Sequence, residues 1–385
     1  MRHTSHIELS RGALKNNLDY LNSVVGDRCQ VSLVVKGNAY GHGISAYIPM
    51  AKELGHRHFS TFDAYEALQV KTVAGEDVDI MIMGMIGNDE LAWAIENDVE
   101  FYVFEKDRLQ GALKAAREIG KPALIHCELE TGMNRTGFEK IHWPELVKIL
   151  KNDSQHLKLK GLCTHYAGAE SYANYLRVNK QYDEFADAVN YFELEGIEPD
   201  IKHTASSAAT IRMPHTRMDL VRVGILQYGF WPNMETFITT IKPKAKVPEN
   251  NPLKRILSWK SHVMNVKEVS QGQFIGYGTS YLATQDMSIA VVPVGYGYGF
   301  SRSLSNTGRA LVRGQRVSVV GIVNMNALMI DITEVEGVEK GDEVVLIGKQ
   351  GDMSISVSSF SEFSDQLNYE LLTRIPNEIP RIVVD

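Results

Sequence analysis

The chain has 385 residues and a mass of 43.1 kDa, a length that is typical of a protein with two domains. Because it is 44% hydrophobic and 23% charged, like an average globular protein, a disordered or collagen-like chain is excluded. Its formal net charge of −7 argues against the basic surface with which proteins bind nucleic acid or anionic membranes.

The first 230 residues alternate between short apolar runs and longer amphipathic stretches. The runs lie at 31–36, 58–62, 79–84, 99–104, 123–129, 159–165, 201–206 and 220–225. Each run is too continuously apolar for a sheet with one wet face, and helical patterns such as those at 63–75, 107–120 and 143–152 separate them. Strands that alternate with helices predict parallel βαβ units. Eight strands favour a (β/α)8 barrel over residues 1–240, because an open doubly wound sheet usually has fewer.

The pattern changes after residue 240. The segment 241–255 is rich in Lys, Pro and Asn, which is typical of a surface connection. Short apolar runs separated by Gly-containing turns follow it, at 258–269, 288–297, 309–314, 316–323, 327–333 and 342–349, and a helical pattern lies at 358–375. We therefore predict a mostly antiparallel β domain over residues 241–385.

The sequence shows no signal for a membrane or a metal. No apolar run reaches the ~18 residues that span a bilayer, and the first residues lack the apolar core of a signal peptide. Cys29, Cys127 and Cys163 have neither disulfide-like nor metal-like spacing. We expect a cytoplasmic protein with reduced, mostly buried thiols and no bound metal.

Ionisable and small polar residues collect where the predicted barrel strands end. In a (β/α)8 barrel these ends converge on one mouth, which carries the active site. The residues are Lys36, Arg135, His165, His203, Ser206, Ser207 and Arg222, and Gly224 and Ile225 follow Arg222 at the end of the last run. An ordinary barrel also places water-facing loops there, so this clustering favours an active site without proving one.

Lys36 is the most informative of them. A lysine that ends an apolar run is either a snorkelling side chain or a partly desolvated amine, and desolvation gives a Schiff-base lysine the lowered pKa that it needs. Gly37, Gly41 and Gly43 permit close backbone approach, as beside a phosphate, and Tyr40 adds a hydroxyl. This combination fits a pyridoxal phosphate site, in which a lysine holds the aldehyde.

The segment VVKGNAYGHG closely resembles the cofactor-lysine motif of alanine racemases, which are fold-type III pyridoxal phosphate enzymes. The resemblance covers nearly the whole chain through ETGMNRTG, THYAGAE, HTASSAA, MDLVRVGILQYG, GYGTSY, VGYGYGFSR, GIVNMNALMIDIT and LNYE. It implies a barrel followed by a β domain that acts on the partner subunit's site in a homodimer, with an amino acid as substrate.

The resemblance also assigns roles to single residues. It makes Lys36 the Schiff-base lysine and one catalytic base, and Tyr277 of the partner subunit the opposite base. Arg222 would face the pyridine nitrogen and bond to His203, and His165 would lie beside the ring. The implied phosphate ligands are Tyr40, Ser207, Gly224, Ile225 and Tyr369. The implied substrate-binding and entrance residues are Arg135, the backbone NH of Met325, Tyr296 and Arg302.

These roles agree with the chemistry of racemisation. A proton leaves one face of the α-carbon and another returns on the opposite face, so two bases must flank it. An arginine at the ring nitrogen cannot give up its proton, so the nitrogen stays unprotonated and the ring is a weaker electron sink. Without the resemblance, the favoured interpretation of Tyr277 is an aromatic residue in a Gly-rich turn of the sheet.

The chain departs from the family pattern at six positions. Glu128 stands where the family usually has a carbamylated lysine, and we predict that it orients Arg135; the alternative is a solvated surface glutamate. The other departures are Ser206, Asn324, Asn326, Gly297 and Tyr298. Because residues around the carboxylate and the entrance decide which side chain fits, they leave the substrate open.

Four functions are compatible with the sequence. An alanine racemase is favoured, and a broader racemase that accepts serine or larger side chains is the alternative. A fold-type III decarboxylase or aldolase is disfavoured by Arg222 and Tyr277. A non-catalytic pyridoxal phosphate carrier is disfavoured by the predicted second domain.

Overall fold

The computed structural model describes residues 3–241, 251–357 and 368–385, which form two compact units. We call one the barrel unit, comprising Ala13–Lys36 and Ile48–Lys254. The other is the sheet unit, comprising the described residues of Met1–Gly12, Gly37–Tyr47 and Arg255–Asp385. The barrel unit contains an eight-stranded parallel sheet and the sheet unit a mostly antiparallel one, which confirms the predicted fold class.

The first strand of the chain, β1 (Ser5–Ser10), belongs to the sheet unit, and the next eight form the barrel. The barrel strands are β2 (Gln30–Val34), β3 (His58–Asp63), β4 (Asp79–Met85), β5 (Glu100–Val103), β6 (Ala123–Glu128), β7 (Leu157–Cys163), β8 (Ile201–His203) and β9 (Leu220–Val223). Each overlaps one predicted run. Their order, β8-β7-β6-β5-β4-β3-β2-β9, leaves β8 and β9 at the ends. The Arg222 amide donates to the Ala205 carbonyl (2.9 Å), and this bond helps to close the barrel.

Helices separate most of the barrel strands, as the amphipathic stretches predict. Within the described residues, the longer helices are Arg11–Val25, Ile44–Glu53, Ala64–Ala74, Lys106–Ile119, Trp143–Asn152, Tyr175–Leu194 and Met234–Ile241, and shorter ones are Leu91–Glu96, Ser207–Arg212 and Asn368–Thr373. Asp63 caps the helix Ala64–Ala74 by accepting a bond from the Glu66 amide, and Gly120 ends Lys106–Ile119 in a left-handed conformation. Among the described residues, no helix is long and apolar enough to cross a membrane.

The sheet unit contains the other nine strands. They are β10 (Leu257–His262), β11 (Asn265–Val269), β12 (Met287–Val292), β13 (Arg309–Val312), β14 (Gln315–Val320), β15 (Leu328–Asp331), β16 (Glu343–Gln350), β17 (Met353–Ile355) and β18 (Arg381–Val384). The sheet order is β11-β12-β15-β14-β13-β16-β10-β1-β18, and β17 also pairs with β16. The neighbours are antiparallel except β1 and β18, which are parallel. The predicted connection at 241–255 and helix at 358–375 lie partly outside the described residues.

Sequence analysis assigned no strand to Ser5–Ser10. In this segment only Ile7 and Leu9 are large apolar residues, and they alternate with polar ones. The structure buries both completely, because their side chains face the core while their neighbours reach partly into solvent. Such a short alternating segment gives a weaker signal than the continuous runs of the barrel.

Candidate active site

Lys36 follows β2 at the carboxyl end of the barrel strands, as predicted. The Lys36 side chain is exposed to solvent along part of its length. The protein around it nevertheless removes enough water to lower the pKa of its amine. The positive charges of Arg135 and Arg222 lower the pKa further, and the carboxylate of Glu66 opposes them. The surrounding residues thus hold the pKa of the Lys36 amine below its usual value.

The chain continues from Lys36 into a left-handed turn. Gly37, Asn38, Ala39 and Tyr40 all have φ between 52° and 62°, a region that costs a residue with a side chain roughly 1–2 kcal/mol. Within the sheet unit, the Gly43 amide donates to the Asn38 carbonyl (2.9 Å) and the Asn38 carboxamide donates to Asn377 (2.7 Å). Tyr40 is buried, and its ring centroid lies 5.9 Å from that of Tyr369, so two predicted phosphate ligands are neighbours.

Arg222, on β9, is 5% exposed and donates five hydrogen bonds through its two terminal nitrogens, the longest of them (3.5 Å) from Nη2 to His165 Nδ1. Nη1 donates to His203 Nδ1 (2.5 Å) and to the His203 carbonyl (2.9 Å), while Nη2 donates to the carbonyls of Thr164 (2.9 Å) and Thr204 (3.0 Å). The predicted bond between Arg222 and His203 is therefore present. No bond within the described residues uses Nε, so this donor remains for a ligand.

His165 is half-buried beside the same arginine, with Nδ1 3.5 Å from Arg222 Nη2. Burial lowers the pKa of His165 to about 3, and the charges of Arg222, Arg135 and Lys36 contribute. The imidazole is therefore neutral at physiological pH, and a neutral ring is suited to packing against a flat heteroaromatic group.

Three of the predicted phosphate ligands lie together at the ends of β8 and β9. Ser207 is the first residue of the helix Ser207–Arg212, and its hydroxyl accepts a hydrogen bond from the Gly224 amide (2.9 Å). Ile225 begins a short 3₁₀ helix, Ile225–Tyr228. Amide groups at helix starts have no partner within the helix, so both segments are chemically suited to an anion.

Glu128, the last residue of β6, is 4% exposed and is therefore not a solvated surface residue. It accepts a hydrogen bond from the Thr136 hydroxyl (2.7 Å), and within the described residues no hydrogen bond joins it to Arg135. The Arg135 side chain is exposed instead, and its backbone amide donates to Glu130 (3.3 Å). Burial raises the pKa of Glu128, whereas the Thr136 bond and the charges of Arg135 and Arg222 oppose that rise. Arg135 thus acts on Glu128 through its charge.

The other predicted site residues lie in the sheet unit. Tyr277 is 71% exposed, in a loop that the backbone bond from the Ile275 amide to the Tyr281 carbonyl (2.9 Å) closes. The amides of Tyr296 and Gly297 donate to the carbonyls of Asn324 (3.0 Å) and Met325 (2.8 Å), so two of the predicted substrate-binding segments are adjacent. Tyr296, Met325 and Arg302 are all exposed.

Sequence analysis missed two buried polar residues behind Arg222. His126 lies inside β6 and is fully buried, and Glu100, the first residue of β5, is 5% exposed. The available signal was an ionisable residue within an apolar run, because such a residue is rarely buried without a partner. The three cysteines are free thiols, two of them buried, as predicted.

These observations fit pyridoxal phosphate. Lys36 offers an amine of lowered pKa, and Lys36, Arg135 and Arg222 supply positive charge for an anionic ligand. The unused Nε–H of Arg222 matches a ring nitrogen that accepts a hydrogen bond. The described residues contain no group of three acidic, histidine or cysteine side chains arranged to hold a metal ion.

Comparisons with known proteins identify the family of the whole chain. The family model "Alanine racemase, N-terminal domain" matches residues 9–232, and "Alanine racemase, C-terminal domain" matches residues 256–383. The alanine racemase of Leptospira interrogans is 33% identical over 384 residues, which cover 100% of this chain and 96% of that protein. The crystal structure of the Bacillus anthracis alanine racemase with bound L-Ala-P has a TM-score of 0.88 and 32% identity, covering 100% of this chain and 96% of that one. A histidine racemase from Leuconostoc mesenteroides has a TM-score of 0.88 and 26% identity, covering 100% and 99%.

Proposed function

The chain belongs to the alanine racemase family, and from that premise we propose that it interconverts L- and D-alanine with pyridoxal phosphate as cofactor. Lys36 and Tyr277 are the two bases in this proposal, and the active form is a homodimer. The observation that carries it is Lys36 itself, a lysine at the barrel mouth whose pKa is lowered by burial and by Arg135 and Arg222.

The cofactor, when bound, supplies an aldehyde that reacts with amines and a ring that withdraws electrons from the α-carbon. Lys36 would hold the aldehyde, and Arg222 would donate its Nε–H to the ring nitrogen. The implied phosphate ligands are Tyr40, Ser207, Gly224, Ile225 and Tyr369. His165 would pack beside the ring as a neutral imidazole, because burial and three nearby cations lower its pKa.

Lys36 removes or returns the α-proton on one face of the substrate. A lysine must be neutral to act as a base, and the lowered pKa of Lys36 provides that form nearer to physiological pH. Whenever Lys36 does not hold the aldehyde, its amine would be free to accept or return this proton. Arg135 binds the substrate carboxylate through its guanidinium group, together with the backbone NH of Met325.

Tyr277 acts on the opposite face and comes from the partner subunit. Its phenol is 71% exposed in the single chain, which leaves it available to a second subunit. One base per face permits inversion, because the proton that Lys36 takes need not return to the face that it left. Arg222 supports inversion by holding the ring nitrogen unprotonated, since a guanidinium does not give up its proton in proteins.

A racemase of broader specificity is the second candidate. One of the similar solved structures is a histidine racemase, so this fold also accommodates a larger side chain in that protein. In this chain Gly297 and Tyr298 alter the predicted entrance. A decarboxylase, an aldolase or a carrier without activity remains disfavoured, since Arg222 and Tyr277 both serve racemisation.

The test is chiral chromatography of a panel of L-amino acids incubated with the purified protein and pyridoxal phosphate. We expect D-alanine to form fastest. Faster conversion of serine, histidine or another larger amino acid would favour the second candidate, and release of carbon dioxide or of an aldehyde would refute racemisation. Borohydride reduction followed by peptide mapping should place the cofactor on Lys36, and a label on another lysine would contradict that role.

The cytoplasmic location stays a prediction from the sequence. Fractionation of cells that make the protein tests it, because racemase activity in a membrane or exported fraction would contradict it.

A further inference from the structure

A chain of buried hydrogen bonds leads from Arg222 through the barrel unit to Glu100. Arg222 Nη1 lies 2.5 Å from His203 Nδ1, His203 Nε2 lies 2.8 Å from His126 Nδ1, and His126 Nε2 lies 2.8 Å from Glu100 Oε2. The four side chains come from β9, β8, β6 and β5, and none is more than 5% exposed. Sequence analysis connected only the first two of them.

The chemistry of arginine fixes the direction of every bond in this chain. A guanidinium only donates, so His203 Nδ1 must accept, and a neutral His203 then carries its proton on Nε2. That proton is donated to His126 Nδ1, which leaves the proton of His126 on Nε2, where the carboxylate of Glu100 accepts it. Burial lowers the pKa of both His203 and His126, so each ring is neutral and has one proton.

Two neighbours restrict where the imidazoles can lie. The ring of Tyr102, itself buried, lies with its centroid 6.1 Å from that of His126 and 6.0 Å from that of His203. On β7, a Cβ atom at Gly161 would lie only 2.0 Å from His126 Nδ1. A side chain at position 161 would therefore push the His126 ring out of the chain of hydrogen bonds.

At the far end of this chain of hydrogen bonds, Glu100 carries a stable negative charge. Burial alone would raise the pKa of Glu100, but the hydrogen bonds that its carboxylate accepts from His126 and His58 lower it below its usual range. Lys160 also holds its Nζ 3.6 Å from Glu100 Oε1 and 3.4 Å from Asp200 at the barrel surface. Glu100 is thus an acceptor throughout the neutral pH range.

We propose that Glu100 and His126 are positioning residues for Arg222. They fix His203 in the tautomer whose Nδ1 accepts from Arg222 Nη1. With both terminal nitrogens held, Nε is the donor that remains for a ligand. The identity of that ligand, the ring nitrogen of pyridoxal phosphate, rests on the proposed function.

The first test perturbs the chain of hydrogen bonds without touching Arg222. Gly161→Ala displaces His126, and Glu100→Gln keeps an acceptor but removes its charge. Gly12→Ala is the control, because the nearest atom to a Cβ there is 4.0 Å away. We measure the absorption spectrum of bound pyridoxal phosphate and its dissociation constant. Both test variants should shift the spectrum, and Gly161→Ala should weaken binding about tenfold or more, as expected when a hydrogen bond to a charged group is lost.

The same substitutions are then made in an Arg222→Lys background. If Glu100 and His126 act through Arg222, these substitutions should not change the spectrum or the affinity further in the Arg222→Lys background. The proposal is overturned if the spectra and affinities of the two test variants match those of Gly12→Ala. It is also overturned if Gly161→Ala and Glu100→Gln have the same effects in the Arg222→Lys background as in the wild type. Thermal melting confirms that each variant is folded, and Glu100→Gln alone carries the test if Gly161→Ala does not fold.

A second measurement needs no cofactor. Solid-state ¹⁵N NMR of the histidine-labelled full chain, with His126 and His203 assigned by substituting each in turn, reports which ring nitrogen carries the proton. We expect Nε2–H in both rings, and a proton on Nδ1 of either would refute the inferred chain. If the wild type does not bind pyridoxal phosphate, the proposed function fails, while the NMR result still decides the positioning role.

Discussion

The carboxylate of Glu128 accepts its hydrogen bond from the hydroxyl of Thr136, at 2.7 Å, and not from Arg135. A buried carboxylate with a single neutral donor is held at a cost in stability. Burial accordingly raises the pKa of Glu128, and the charges of Arg135 and Arg222 offset only part of that rise. We infer that Glu128 acts on Arg135 and Arg222 through its charge and not through a direct hydrogen bond.

The first prediction concerns substrate binding. Glu128→Gln should raise the KM for alanine roughly five- to tenfold. Loss of a direct hydrogen bond to a charged group would cost about 1.5–3 kcal/mol, which corresponds to an increase of more than about tenfold. Thr136→Val is the matched control, because it removes the hydroxyl and leaves the charge. Steady-state kinetics compare the two variants. A Thr136→Val enzyme as impaired as Glu128→Gln would assign the effect to the hydrogen bond instead of the charge.

The second prediction concerns stability and pH. A glutamate whose pKa is raised in the folded state contributes stability below its unfolded pKa of ~4.3, and this contribution is lost as the pH rises through the folded pKa. Glu128→Gln removes that loss, so its melting temperature at pH 7 should equal or exceed that of the wild type. The difference between the two proteins should shrink towards pH 4. A Glu128→Gln protein that melts lower at pH 7 than the wild type would contradict this.

The third prediction separates Glu128 from the carbamylated lysine of the family. A glutamate carries its carboxylate permanently, so wild-type activity should not change when bicarbonate and carbon dioxide are removed. Glu128→Lys restores the residue type of the family and should give an enzyme whose activity rises with added bicarbonate. Assays in degassed and bicarbonate-supplemented buffer test both proteins. A wild type that needs bicarbonate would refute the prediction that Glu128 takes the place of the carbamylated lysine.

The barrel strands were predictable, and the polar contacts within them were not. Runs such as 80–83, within β4, are continuously apolar because both faces of a parallel sheet are covered, and this gives a strong local signal. The bond between His126 and Glu100 joins residues 26 positions apart, and no local pattern states that they meet. The sequence predicted that Arg135 interacts with Glu128. It did not predict that Thr136 donates to this carboxylate, because the geometry of the loop between them is set by tertiary contacts.

The fourth prediction concerns the turn after Lys36. Gly41 and Gly26 have almost the same φ angle, 78° and 77°. A Cβ at Gly41 would lie 1.8 Å from the Leu372 carbonyl oxygen, whereas nothing lies within 4 Å of one at Gly26. Gly26→Ala should therefore cost only the backbone strain, about 1–2 kcal/mol, and Gly41→Ala much more, with displacement of Tyr40. Thermal melting and pyridoxal phosphate affinity compare them, and equal losses would show that the close approach to Leu372 is unimportant.

The last prediction is that Tyr277 acts on the partner subunit's site. Lys36 follows the first strand of the barrel unit and Tyr277 belongs to the sheet unit, so each chain carries one proposed base in each unit. In a two-fold dimer, each site can take Lys36 from one chain and Tyr277 from the other. Lys36→Ala and Tyr277→Phe should each be inactive. Unfolded and refolded together in equal amounts, they should recover activity, because a hybrid dimer has one site with both lesions and one with neither.

The amount recovered is itself predicted. Random pairing makes half of the dimers hybrids, so roughly one site in four should be intact and activity should approach a quarter of that of the refolded wild type. If Tyr277 served the Lys36 of its own chain, every site would keep one lesion and mixing would restore nothing. Distinct affinity tags on the two variants allow hybrids to be isolated. Purified hybrids without activity above that of the separate variants would therefore exclude the shared site.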